Sequence, residues 1–190
     1  MSPFPQSCLD NHACFRVLLQ AMSRPGTIVQ LPASSQADFE SSLIRLLDTV
    51  LNQQSSCHLV ELDPELEQKI LDQTGTHFTA AESADFILAL SGDSQGKVSK
   101  AKRGRLDFPD QGATIVFGVK HLHSRSQENS FKLTGPGIKD AVHPTIEGLN
   151  NQELVWLKEA NSEFPLGVDS IFLDQNNQLM CIPRSTRIGV

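Results

Sequence analysis

Two short, nearly uninterrupted apolar runs, Asp85-Phe86-Ile87-Leu88-Ala89-Leu90 and Ala113-Thr114-Ile115-Val116-Phe117-Gly118-Val119, set the strongest limit on how this chain folds. A strand with one wet face alternates apolar and polar residues, whereas a run that is apolar almost throughout buries both faces. The two runs therefore predict central strands covered on each side. Helices supply the cover. Residues 11–23 carry Phe15, Leu18, Leu19 and Met22 at i, i+3, i+4 and i+7, the stripe expected to face the core, with Asp10 or Asn11 as N-cap. Arg24-Pro25-Gly26 stops that helix, because Pro cannot continue it and Gly suits the positive-φ position of a type II turn. A second helix is expected over 38–51, with Phe39, Leu43, Leu46, Leu47, Val50 and Leu51 as its apolar stripe and short strands on either side. In Asp63-Pro64-Glu65-Leu66-Glu67 an aspartate cap, an N1 proline and first-turn acids together start a third helix, which Gly75 closes. Further strands are expected over 58–62 and 131–134, and a helix over 151–161. Residues 168–173 and 178–182 read as a hairpin across Asp174-Gln175-Asn176-Asn177. Helices interleaved with strands define an α/β chain, a mixed sheet flanked by helices.

A length of 190 residues suits one domain, taken as 1–190, and a core of that size needs neither disulfides nor a structural metal. The net charge of −6 excludes a dedicated binder of nucleic acid or of anionic membrane. No window approaches 18 uninterrupted apolar residues, and residues 1–6 hold no basic stretch leading into an apolar run. The four cysteines, Cys8, Cys14, Cys57 and Cys181, form no C-x-x-C pair. A cytoplasmic protein with reduced thiols is expected.

Charge is unevenly spread: residues 91–140 hold nine basic and five acidic side chains, the remainder seven and 17. The basic excess centres on Lys97, Lys100, Lys102, Arg103 and Arg105, inside a Ser/Gly/Asp-rich loop of roughly 20 residues. The loop reads either as a solvated surface loop or as a seat for an anionic ligand or partner. Gly135-Pro136-Gly137 follows a strand as a phosphate-cradling loop does, but Asp140 stands where G-x-G-x-x-G needs its third glycine, so a tight turn is the plainer reading. His121-Leu122-His123 puts two imidazoles on one side of a strand, with His143 the only later histidine; surface histidines fit better than metal ligands. No nucleophile elbow is present. Arg184 and Arg187, bracketing Ser185-Thr186, suit either anion recognition or an ordinary edge or interface. Catalytic, cofactor and metal residues are therefore expected to be none, and the candidate interface or anion-binding residues are Arg24, Lys100, Arg103, Gly135, Gly137, Asp169 and Arg184.

Four segments taken together carry a family resemblance: Phe15-Arg16 through Ala21-Met22-Ser23-Arg24-Pro25-Gly26-Thr27, then Leu133-Thr134-Gly135-Pro136-Gly137-Ile138, Phe164-Pro165-Leu166-Gly167-Val168-Asp169, and Ile182-Pro183-Arg184-Ser185-Thr186. In this order and spacing the chain resembles the H subunit of the bacterial carbon-phosphorus lyase of phosphonate degradation. The resemblance spans the chain, with residues 35–130 matching in length and pattern. It implies a fold similar to a reduced pyridoxal-phosphate-dependent transferase without its cofactor site. It also implies a non-catalytic subunit, a homodimer when isolated, that joins the G, I and J subunits of a core complex. That complex transfers phosphonate to the ribose C1 of ATP with loss of adenine, before radical cleavage by the J subunit. A pyridoxal enzyme needs a Schiff-base lysine and an acidic partner for the ring nitrogen. None of the eight lysines stands in such a context. The alternative reading is a module that binds a phosphorylated small molecule through the basic loop, Gly135-Pro136-Gly137 and Arg184.

Overall fold

A computed structural model describes residues 6–32, 38–124 and 130–189; residues 1–5 of the opening stretch read above and Arg125 of the basic segment lie outside them. A seven-stranded sheet forms the centre. Its strands, in spatial order, are β1 (Val29–Gln30), β10 (Gln178–Ile182), β9 (Asp169–Asp174), β5 (Thr114–Val119), β4 (Phe86–Ala89), β2 (Ser56–Leu59) and β3 (His77–Phe78). β10 runs antiparallel to both neighbours, and every other pairing is parallel. Both apolar runs, β4 and β5, lie inside the sheet as expected.

Successive residues of these strands feed two cores. Ile87, Ala89, Ile115, Phe117, Phe172 and Met180 point to one face; Leu88, Val116, Ile171, Leu173 and Leu179 point to the other. Phe117 and Phe172 stack across β5 and β9 with centroids 5.1 Å apart. Helices α1 (Gln6–Ser23), α2 (Phe39–Val50) and α3 (Pro64–Thr74) cover the second face. The first is covered by α4 (Asn151–Ala160), by the 3₁₀ turn Val98–Lys100 and by two small antiparallel sheets. These pair β6 (His121–His123) with β8 (Thr145–Glu147), and β7 (Lys132–Thr134) with β11 (Arg187–Gly189).

The capping signals act as read. Asp38 accepts the Ser41 amide at 2.8 Å, Asp63 accepts the Leu66 amide at 3.0 Å, and Gly75 closes α3 at φ 69°. The hairpin turns at Asn177, at φ 59°. Two expectations need correction. α1 opens earlier, at Gln6, since no Gly or Pro interrupts it, and Asp10 lies inside it. Its buried face is Cys14, Leu18 and Ala21, while Phe15 and Leu19 are 50% and 57% exposed. The expected stripe was thus displaced by one position around an apolar arc wider than the surface the sheet offers. Among the described residues, no helix is long and apolar enough to cross a membrane.

Candidate functional site

The four segments singled out in the sequence meet at the amino-terminal end of the parallel strands. A Cβ added to Gly137, at φ 81°, would lie 2.2 Å from the Ser23 carbonyl oxygen, so the glycine turn rests directly on the end of α1. A Cβ on Gly135 would lie 3.0 Å from the Ser185 oxygen, which joins the same turn to the final segment. The Gly26 amide donates to the Cys181 carbonyl at 3.2 Å. Asn161 donates to and accepts from Val168, at 3.1 and 2.7 Å, and so fixes the strand entry after Phe164-Pro165, whose peptide bond is cis.

Arg184 is the centre of this cluster. Its Nε donates to both Asp169 oxygens, at 3.2 and 3.1 Å; a terminal nitrogen reaches Oδ2 at 2.5 Å; and its backbone amide donates to Oδ1 at 2.8 Å. The guanidinium also donates to the carbonyls of Pro109 and, at 3.5 Å, Gly112. Only 14% of the Arg184 side chain and 23% of that of Asp169 are exposed. A planar fork committed to a carboxylate and two carbonyls is a clamp. It ties the loop entering β5 to the β9–β10 hairpin.

The basic loop is ordered by similar means. Glu153, buried in the first turn of α4, accepts the Ser94 amide at 2.7 Å and the Ser94 hydroxyl at 2.9 and 2.8 Å. Burial holds the Glu153 carboxyl above the ordinary range, against the pull of those hydrogen bonds and with a smaller push from Asp93. Asn150 donates to Asp93 at 2.9 Å. Lys102 pairs with Asp85, Arg103 with Glu163 at 3.4 Å, and Arg105 with Asp107 at 3.1 Å. Most of the local basic excess is therefore neutralised within the chain. Lys100 is exposed on its 3₁₀ turn, apart from Gly135 and Arg184, and Arg24 is exposed beyond the end of α1. The expected loop–glycine–Arg184 seat is thus divided: Gly135 and Arg184 share one cleft, which Lys100 and Arg103 do not line.

Open α/β sheets usually hold ligands where adjacent strands send their connections to opposite faces, at the carboxyl ends. Here that crevice lies between β2 and β4. Glu61, just past β2, accepts the Leu90 and Ser91 amides at 3.2 and 3.0 Å and the Ser91 hydroxyl at 2.5 Å, so the chain's own carboxylate occupies the amides an anion would seek. Further along, buried Asp174 accepts the amides of Leu122, Asn176 and Gln178 at 3.1, 2.8 and 2.9 Å. Nothing in the apolar patterning marks Glu61 or Glu153. His121 contacts Asn176, His123 lies 3.8 Å from Glu147, and among the described residues no group of three His, Cys, Asp or Glu side chains is disposed to hold a metal ion.

The architecture and this cluster define a mixed-sheet α/β domain whose distinctive residues bind its own segments together. Residues 2–189 match the family model described as bacterial phosphonate metabolism protein (PhnH), and the chain belongs to that family. It is also 32% identical over 177 residues to the protein described as "Putative C-P lyase subunit protein HtxG" of Stutzerimonas stutzeri, covering 93% of this chain and 84% of that one.

Proposed function

We propose that the chain is a non-catalytic subunit of a carbon-phosphorus lyase core complex, joining the G, I and J subunits that together transfer phosphonate to the ribose C1 of ATP. Family membership and the likeness to a C-P lyase subunit support the assembly. The commitment of Arg184 to Asp169 and to loop carbonyls carries the non-catalytic reading, because the most distinctive charged residue of the matched segments holds the fold together. The closure of the β2–β4 crevice by Glu61 supports it as well. The mostly parallel seven-stranded sheet with helices on both faces is compatible with a reduced transferase frame.

Docking falls to apolar side chains rather than to sheet edges. Both edge strands, β1 and β3, are two residues long and offer little to pair with. Leu106 and Phe108, 77% and 51% exposed, instead project from the turn closed by the mutual Arg105–Phe108 backbone hydrogen bonds. Large exposed apolar groups on a hydrogen-bonded turn suit insertion into a partner's pocket. The test is a tagged pull-down from phosphate-starved cells grown on methylphosphonate. The G, I and J subunits should be recovered in equal amounts with this chain; recovery of the chain alone would refute the assignment.

A further inference from the structure

The small sheet of β7 and β11 has one strand edge that the chain does not pair. Leu133 exchanges both of its backbone hydrogen bonds with Val142, at 2.9 and 3.2 Å, so its peptide groups point away from β11. In an antiparallel pair this makes Leu133 and Ile188 the couple without mutual hydrogen bonds, and it turns the Ile188 N–H and C=O outward from β7. No group among the described residues donates to them or accepts from them on that side. Unpaired edge groups of this kind recruit a further strand. The edges of the central sheet, β1 and β3, are two residues long, whereas β11 presents three residues, about 10 Å of edge.

Arg187 and Ile188 line a cleft of about 720 Å³, bounded also by the Gly135-Pro136 turn and the end of α4. Thr186, 3% exposed, lines it too, and its hydroxyl has no hydrogen-bond partner among the described residues. No carboxylate lines the cleft, although the chain carries a net charge of −6. Of its three cations, Arg184 is neutralised by Asp169, while Lys158 and Arg187 are exposed and form no ion pair within 4.0 Å among the described residues. Phe164, 68% exposed, adds an apolar rim. Unpaired peptide groups are complemented by another backbone, and uncompensated cations by carboxylates. We propose that this cleft takes an extended acidic segment of a partner protein, added as a strand beside β11, with its carboxylates on Lys158 and Arg187 and an apolar side chain against Phe164. The surface is separate from the turn that carries Leu106 and Phe108, neither of which lines the cleft. It covers the Ile188 amide and leaves the Arg184 amide on Asp169.

Calorimetry on the full chain with two end-capped octapeptides, one alternating valine with glutamate and the other valine with lysine, tests the assignment. The valine–glutamate peptide should bind with Kd below about 1 mM, more weakly as salt rises, and the valine–lysine peptide should not bind. Lys158→Ala/Arg187→Ala should weaken binding about tenfold or more, as expected for loss of charge-assisted contacts. Lys100→Ala/Arg103→Ala should leave it unchanged. The substituted cations are mostly solvent-facing, so circular dichroism should show a folded chain in each variant. Strand pairing has its own readout, because only alternate amides of an added strand face β11. N-methylation of one alternate set of peptide amides should therefore abolish binding while methylation of the other is tolerated, and exchange of the Ile188 amide should slow when the unmodified peptide is bound. No heat from the valine–glutamate peptide at about 5 mM, equal affinity for the lysine peptide, an unchanged affinity in Lys158→Ala/Arg187→Ala, or tolerance of both methylated sets would each overturn the proposal.

Discussion

Replacing Arg184 by alanine tests whether the matched segments are architectural. The substitution removes the side-chain donors from Asp169, whose carboxylate is three-quarters buried, and leaves it with only the residue-184 amide. It also strips the Pro109 and Gly112 carbonyls of a donor. Breaking a buried pair by deleting one partner costs about 3–5 kcal/mol. The residual exposure of this pair places the expected loss near the lower end, about 3 kcal/mol. For a chain of this length that corresponds to a fall in Tm of about 6–12 °C, or about 1–1.5 M in the urea midpoint at an m-value of about 2–3 kcal/mol/M. Asp169→Asn should lose a comparable amount. The double variant should lose less than the sum of the two, since each single change already breaks the same contact. Urea titrations of the four proteins complete the cycle. A loss below about 1 kcal/mol for Arg184→Ala, or strictly additive effects, would show that the clamp contributes little and would refute the architectural reading.

Other expectations follow from the same contacts. Burial raises the Glu153 carboxyl above its unfolded value, so its contribution to stability is fully present below the unfolded value and is lost as pH rises through the folded one. Glu153→Gln should therefore be at least as stable as the native chain at pH 7.5 and gain no advantage at pH 4, in urea midpoints; a large loss at pH 7.5 would contradict this. Burial pushes the Cys57 thiol up to about 12 and raises those of Cys14 and Cys181. Mass spectrometry after iodoacetamide at pH 8 should find these three unmodified in the native chain and modified in urea, and rapid native labelling of Cys57 would count against the buried-core account. Gly137→Ala combines a positive φ with a backbone clash and should cost more than about 2 kcal/mol; a thermal melt matching the native chain would rule out the close contact with Ser23.

Much of the frame was legible because its signals are local. The Asp63 cap, Pro64 and Gly75 delimit α3 within the sequence itself, and the runs at β4 and β5 need both faces covered wherever they sit. The buried side of α1 was not legible, because Phe15, Leu18, Leu19 and Cys14 form one broad apolar arc and only the facing sheet selects Cys14, Leu18 and Ala21. Strands β1, β3, β8 and β11, two or three residues each, are too short to show a period. For the site, Arg184 and Asp169 stood out singly in the sequence, but their pairing is a consequence of the β9–β10 hairpin register, in which Ile182 faces Ser170. Lys158 carries no sequence signal, because a lone lysine at the end of an amphipathic helix is ordinary. Only the fold brings it to the same cleft as Arg187.

The proposal that this chain serves as a docking subunit is tested most directly by hydrogen–deuterium exchange on the chain alone and on the chain assembled with the G, I and J subunits. The account predicts that backbone amides around Leu106 and Phe108 exchange more slowly in the complex, while those around Arg184, already held by Asp169, change little. Exchange at the Leu106–Phe108 tip that is the same in both states, in a complex shown to contain the chain, would contradict it.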